Sequence, residues 1–167
     1  MDLIQRTLVV LKPDTIGRSI TGEIISRFER AWLHIVAMKM LRPDKDFLYH
    51  HYENIGKMIS RRWEKAFNET IKMMTLWPVI AMIFEWVEAV EHVRKLVGVT
   101  EPKAAAPGTI RWDYANMSFQ YADNKKIGIP NLVHASWSID EATEEIKHRF
   151  SNKEIFDYDP IHSIFTR

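Results

Sequence analysis

His134 is the residue whose type and position point most directly to chemistry. It ends a short apolar segment with Leu132 and Val133, and Ser138-Ile139-Asp140-Glu141, a capping-box pattern, opens a helix four residues later. A histidine exposed at a strand–helix junction can meet a ligand at the helix N-terminus, where backbone N–H groups favour phosphate. Glu145 lies eleven residues after His134, about three helical turns along, so its side chain can point back to the same end of a sheet. The competing reading is a buried histidine hydrogen-bonded to a loop. Lys12 ends an apolar run just before Pro13, Arg94 sits late in a helical segment, and Arg111 lies in a long loop. Cations at strand ends and in loops can clamp phosphates if they converge; taken singly, a surface cation does nothing specific. His50, His51 and Tyr52 are consecutive. Neighbours on a helix point about 100° apart, so the two histidines cannot easily share one ion. A helix-end aromatic contact is the other reading of that cluster. The chain has no Walker loop, no GxGxxG and no GxSxG.

Strands and helices must bring these residues together. The run at 6–11 (RTLVVL) is β-branched and apolar and ends at a Lys-Pro-Asp turn, and 33–40 (LHIVAMKM) reads as a second strand. The continuous apolar run at 78–84 (PVIAMIF) suits a buried central strand, and 131–134 gives a short strand end. Between them, 22–30 places Ile24, Ile25 and Phe28 on one helical face. Asp44 reads as the N-cap of a helix through Tyr52, and 61–74 carries Trp63, Ala66, Phe67, Ile71 and Met74 at helical spacing. A helix at 87–97 closes on Gly98, and a last one runs from Ser138 to about Phe150. The stretch 100–130 is long and irregular, the kind of loop that is functional or disordered in a compact domain. The tail, 151–167, shows no period and is expected to drape over the surface or a neighbouring subunit. The order β-α-β-α-α-β-α-loop-β-α contains the core of the ferredoxin-like arrangement. In its simplest form that arrangement is an antiparallel sheet with helices on one face.

Bulk properties narrow the function classes. The 167 residues suit one domain with a single sizeable core. With 46% apolar and 27% charged residues, the composition is that of an ordinary soluble globular protein. The longest apolar stretch, 78–84, is too short to span a bilayer, and the N-terminus shows no signal-peptide pattern. The lack of cysteine excludes disulfides, thiolate metal sites and cysteine nucleophiles, and suits a cytoplasmic location. A net charge of +1 argues against strong nonspecific attraction to nucleic acid. The strands also carry aliphatics where a nucleic-acid-binding sheet needs exposed aromatics.

Several segments, in order along residues 4 to about 150, resemble the nucleoside diphosphate kinase family. They are RTLVVLKPD at 6–14, TGEIISRFE at 21–29, HY at 51–52, PVIAMIFE at 78–85, GVTEP at 98–102, PGTIR at 107–111 and NLVHAS at 131–136. The pattern N-x-x-H-[GA]-S is complete at Asn131, His134, Ala135 and Ser136. The resemblance implies an α+β, ferredoxin-like βαββαβ fold: an antiparallel sheet with helices on its faces, plus a long loop of the type called Kpn. It implies a domain at 1–150 followed by a C-terminal extension at 151–167. It also implies transfer of the γ-phosphate of a nucleoside triphosphate to a nucleoside diphosphate, in ping-pong fashion, through a phosphohistidine on His134. Lys12, Arg94, Thr100, Arg111 and Asn131 match positions that hold phosphates and ribose. Tyr52 matches a tyrosine near the histidine, and Ser136 and Glu145 match the pair that orients the imidazole. The base-stacking phenylalanine falls on Ala66, with Phe67 beside it as a replacement. Mg2+ would arrive on the nucleotide, and homohexamers or homotetramers are implied, with no membrane and no specific nucleic-acid partner. Segments 54–65 and 113–130 and the tail are longer than in compact members. The alternative is a catalytically impaired member that serves as a nucleotide-binding or scaffold protein.

Six tryptophans stand beside six glycines, where average usage gives roughly twelve glycines at this length. Trp32, Trp77, Trp86 and Trp112 fall where the resemblance places glycine. Trp137 falls where aspartate is common and glycine occurs, and Trp63 lies in the longer 54–65 segment. Glycine at tight turns supplies positive φ or close backbone approach, and a bulky residue at positive φ is an outlier. The correspondence is what results when UGA codons meaning glycine are read as tryptophan. A chain that does contain Trp112 and Trp137 is expected to lose activity and stability, because they put bulk beside Arg111 and His134.

Overall fold

Strands that are apolar at consecutive positions have no face to leave in water, so their sheet must be covered on both sides. The computed structural model describes residues 3–165, with Trp63 described by its backbone alone. In it β1 (Ile4–Leu11), β2 (His34–Leu41), β3 (Val79–Val87) and β4 (Val133–Ala135) form one sheet in the order β2-β3-β1-β4, antiparallel throughout. On one face Val9, Leu11, Met82 and Phe84 meet Ile24 and Phe28 of α2 (Thr21–Glu29) and Val93 and Val97 of α5 (Ala89–Val97). Phe28 and Phe84 touch with ring centroids 4.9 Å apart. On the other face Leu8, Val10, Ala81 and Ile83 meet Leu48 of α3 (Lys45–Tyr49) and Phe67, Ile71 and Met74 of α4 (Met58–Leu76). The i, i+4, i+7 spacing of that last trio makes one helical stripe. Phe150 joins this layer just after α8 (Ile139–Arg149). Each such side chain withdrawn from water contributes about 1.5–3 kcal/mol. The single-faced form of the arrangement is therefore corrected: β1 and β3 are buried on both sides, and helices cover both faces.

Three connections differ from the sequence reading. A short helix, α1 (Pro13–Gly17), with Pro13 at its first position, replaces the bare turn after β1. Asp44 caps its helix as read, accepting from the Phe47 N–H at 2.8 Å, but the α-helix stops at Tyr49 and a π-helical turn, His50–Ile55, follows. The segment 100–130 is punctuated by a 3-10 turn at Pro102–Ala104 and by α6 (Ile110–Tyr114) and α7 (Phe119–Lys125). Thr109 and Ser118 start the two helices by accepting from the N–H groups of Trp112 and Tyr121.

The tail lies on the chain's own sheet. Phe156 N–H donates to the Val36 carbonyl at 2.9 Å, the Tyr158 hydroxyl donates to the Ile35 carbonyl at 2.6 Å, and Lys39 pairs with Glu154 at 2.7 Å. It thereby occupies part of the β2 edge, whose backbone groups would otherwise invite another strand. Among the described residues no helix is long and apolar enough to cross a membrane.

Candidate active site

The end of β1 and the approach to β4 are laced together. Lys12 N–H and the Thr15 hydroxyl both donate to the Leu132 carbonyl, at 2.8 and 2.7 Å, while Leu132 N–H donates to Asp14 Oδ2 at 2.8 Å. Leu132 has a left-handed φ of 70°. That conformation costs a residue with a Cβ about 1–2 kcal/mol, and the three hydrogen bonds hold it. Strain held by its surroundings is a feature of functional sites, and here it fixes the direction in which β4 delivers His134, opposite Val10 of β1.

His134 and α8 meet as the eleven-residue spacing suggested. His134 Nε2 lies 2.7 Å from Glu145 Oε1, and the Ser136 hydroxyl donates to Glu145 Oε2 at 2.6 Å. Burial pushes the Glu145 carboxyl up, but His134, Ser136 and Arg149 outweigh it and the net shift is downward. An ionised carboxylate only accepts hydrogen bonds, so Nε2 carries the proton and the neutral imidazole keeps its lone pair on Nδ1. Ser136 is fully buried and Glu145 nearly so, so the pair acts as a fixed support behind the ring.

The π-helical turn supplies the roof. His51 lies edge-on to His134 with centroids 4.6 Å apart, and the Tyr52 ring is 6.2 Å away. π-helical turns recur at functional sites. His50 diverges as expected, toward Asn54 and the His148 ring. Burial, with Arg149 and His134 nearby, holds the His51 pKa well below its ordinary value, so His51 is neutral. Burial likewise pushes the Tyr52 phenol up. Ligand atoms of His51, His134 and Glu145 lie within 4.8 Å of one another. Glu145 Oε1 is already taken by His134 at 2.7 Å, so the carboxylate supports the imidazole rather than an ion, and His51 joins them as an edge-on ring contact.

Lys12, Tyr52, Arg94, Thr100, Arg111, Asn131, His134 and Glu145 line one pocket. That convergence is what spacing could not show. Lys12 Nζ donates to Asn131 Oδ1 at 2.7 Å, and Asn131 Nδ2 donates to the Thr100 carbonyl at 2.8 Å. Arg111 donates to three backbone carbonyls, of Asn131, Gly98 and Val133, at 3.2, 2.9 and 2.6 Å. Burial, with Arg94 and Arg62 nearby, pulls its pKa down to about 10. The Arg94 guanidinium lies 3.7 Å from the Trp137 ring centroid.

Phe67 is a correction. It packs in the core layer beneath β1, its ring 5.6 Å from Tyr49, and does not line the pocket. Helical phase decides this: Phe67 shares a stripe with Ile71 and Met74. The sequence reading also passed over Met58, Arg61, Arg62 and Ile129, which line the pocket. The arginines stood in the longer 54–65 segment, where clustered cations were the available signal. Arg149 was missed as well. It is buried behind the site, 4.8 Å from the Phe47 ring, and its guanidinium makes no hydrogen bond among the described residues.

Burial, with Arg111 and Arg62 adding to it, pulls Lys12 down to about 8. The sign follows. An anion in the pocket favours the charged ammonium, so above this pKa a proton must be taken up before binding. The affinity for a nucleoside diphosphate should fall about tenfold between pH 7 and 9, as read by calorimetric titration. A flat profile would show that Lys12 is not a phosphate contact, and Lys12→Met should flatten it.

Comparison with known proteins bears on what the pocket is for. The sequence model of the family described as nucleoside diphosphate kinase matches residues 5–155. A nucleoside diphosphate kinase of Borreliella burgdorferi is 42% identical over 156 residues, covering 93% of each chain. One of Pyrococcus furiosus is 42% identical over 158 residues, covering 95% of this chain and 90% of its own. Among solved structures, a transition-state mimic of the Borrelia burgdorferi nucleoside diphosphate kinase with bound vanadate and ADP superimposes with a TM-score of 0.95. It is 40% identical and covers 99% of this chain and 98% of its own.

Proposed function

The chain belongs to the nucleoside diphosphate kinase family, and we propose that its phosphoryl group travels on Nδ1 of His134. The enzyme is a phosphotransferase that moves the γ-phosphate of a nucleoside triphosphate to a nucleoside diphosphate, by a ping-pong route through a phosphohistidine. The observation that carries the assignment is the hydrogen-bonded chain from Ser136 through Glu145 to His134 Nε2. It fixes the ring and leaves the Nδ1 lone pair for in-line attack. An N–P bond forms as the bond from the γ-phosphorus to the bridging oxygen breaks, and the leaving diphosphate takes the electron pair. The second half-reaction reverses this with the terminal oxygen of the acceptor diphosphate as nucleophile. Because phosphoryl transfer leaves little covalent work to the protein, cations placed around the moving group dominate. Lys12, Arg94 and Arg111 take that part, Asn131 and Thr100 hold the ribose and phosphates, and Tyr52 closes over the imidazole. Phe67 has no part in the base site. Met58, Val99 and Ile129 are among the apolar pocket residues available to the base.

The donor set fits Mg2+ carried by the nucleotide. The pocket is rich in cations, Glu145 is occupied by His134 and Ser136, and Glu141 faces Arg61 at 4.0 Å. Such an ion, when bound, neutralises phosphate charge. Residues 1–150 form the catalytic domain and 151–167 a C-terminal extension, of which Glu154, Phe156 and Tyr158 meet the β2 edge. Assembly as a homohexamer or homotetramer in the cytoplasm, with neither membrane nor nucleic acid as partner, completes the reading. Initial rates with ATP and a nucleoside diphosphate varied together should give parallel double-reciprocal lines. Converging lines would mean that both nucleotides bind at once and that no phosphoenzyme intervenes.

A further inference from the structure

Trp32 occupies a backbone position built for glycine. α2 ends in a Schellman turn: Leu33 N–H donates to the Phe28 carbonyl at 3.3 Å and Trp32 N–H donates to the Glu29 carbonyl at 3.0 Å. Phe28 and Leu33 are both in the core, which supplies the apolar contact of that motif. The residue before Leu33 must then be left-handed, and Trp32 has φ 73°. That conformation presses a Cβ against its own backbone, which is why glycine prevails there and a bulky residue is an outlier.

Burial does not compensate. Trp32, Trp77, Trp112 and Trp137 are 45, 49, 48 and 60% exposed, although tryptophan is a residue that is on average highly buried. Among the described tryptophan side chains Trp86 is the buried one, and its ring lies 5.9 Å from that of Trp32. His162 contacts both rings, at 5.3 and 5.2 Å, so this cluster exists only with both tryptophans present. At the active-site pocket, the Arg94 guanidinium sits over the Trp137 ring, 3.7 Å from its centroid.

We infer that glycine stands at position 32 in the protein the cell makes and, through the same codon, at the other five tryptophan positions: UGA in this gene is decoded as glycine. UGA differs from the glycine codon GGA in its first base alone, so one changed anticodon base in a glycine tRNA suffices. The combined count of six and six then equals the roughly twelve glycines expected of an average chain. At position 137, glycine releases Arg94 toward the pocket. That consequence rests on the phosphate role proposed for Arg94, whereas the decoding does not.

Peptide and intact-mass spectrometry of the protein purified from its natural source tests the decoding independently of activity. Glycine at position 32 and an intact mass lowered by six Trp-to-Gly differences are expected. Tryptophan at position 32, or a mass short of six replacements, overturns the inference. Recombinant protein gives a second reading. Trp32→Gly should raise Tm by about 2–4 °C, while Trp32→Ala should not, because alanine keeps the Cβ that the left-handed backbone resists. Equal gains from the two variants would place the strain in the indole rather than the backbone and overturn the argument for glycine at this turn.

Discussion

His134→Gln lowers kcat by at least about 10⁴-fold, the scale of loss when a covalent nucleophile is removed. Glutamine nearly fills the imidazole volume and can donate to Glu145, so the support behind the ring survives. Its amide has no lone pair able to attack phosphorus. The cations that hold the phosphates, Lys12, Arg94 and Arg111, approach from other elements and keep their contacts. The dissociation constant for a nucleoside diphosphate should therefore stay within about twofold, equivalent to roughly 0.4 kcal/mol. Stopped-flow rates and a binding titration on one preparation separate the two effects. A variant retaining more than about one per cent of kcat would exclude His134 as the phosphoryl carrier.

Glu145→Gln lowers kcat by about 10²–10⁴-fold with little change in the binding of nucleotides, by the scale of other buried carboxylate–histidine pairs. The carboxylate accepts from Nε2 and from the Ser136 hydroxyl at once. An amide can accept on one side only. If its NH2 turns to His134, the ring proton moves to Nδ1 and the attacking lone pair is lost. Stability should fall too, because buried Arg149 loses the favourable charge of the Glu145 carboxylate. In the parent enzyme the Glu145 carboxyl titrates below its ordinary value. Its stabilising effect is therefore complete above the unfolded pKa and is lost as pH falls through the folded one. A Glu145→Gln enzyme with full kcat would show that imidazole orientation does not limit the rate.

Some of this architecture is legible in the sequence for definite reasons. β1 and β3 announce themselves because RTLVVL and PVIAMIF have almost no polar interruption, and burial on both faces requires that. α8 is legible because Ser138 caps it, accepting from the Glu141 N–H. The same cap logic applied to Thr109 and Ser118 would have found α6 and α7, which the prolines and glycines of 100–130 obscured. In the site, Lys12 and Asn131 touch across 119 residues of chain, and no local pattern encodes a contact of that span. Phe67 shows the opposite case. Periodicity had already put it on the stripe with Ile71 and Met74, and that stripe faces the core. His51 was set aside because adjacent histidines cannot share an ion. The geometry was right, but it left open that His51 alone would turn to His134.

The bond that forms on His134 is the most direct test. Protein labelled with nitrogen-15 histidine, phosphorylated with ATP and examined by phosphorus–nitrogen NMR, should show one phosphohistidine, at His134, with phosphorus bonded to Nδ1. Glu145 holds the other nitrogen at 2.7 Å. A phosphorus–Nε2 bond, or phosphate on His51 or any other residue in place of His134, would contradict the mechanism.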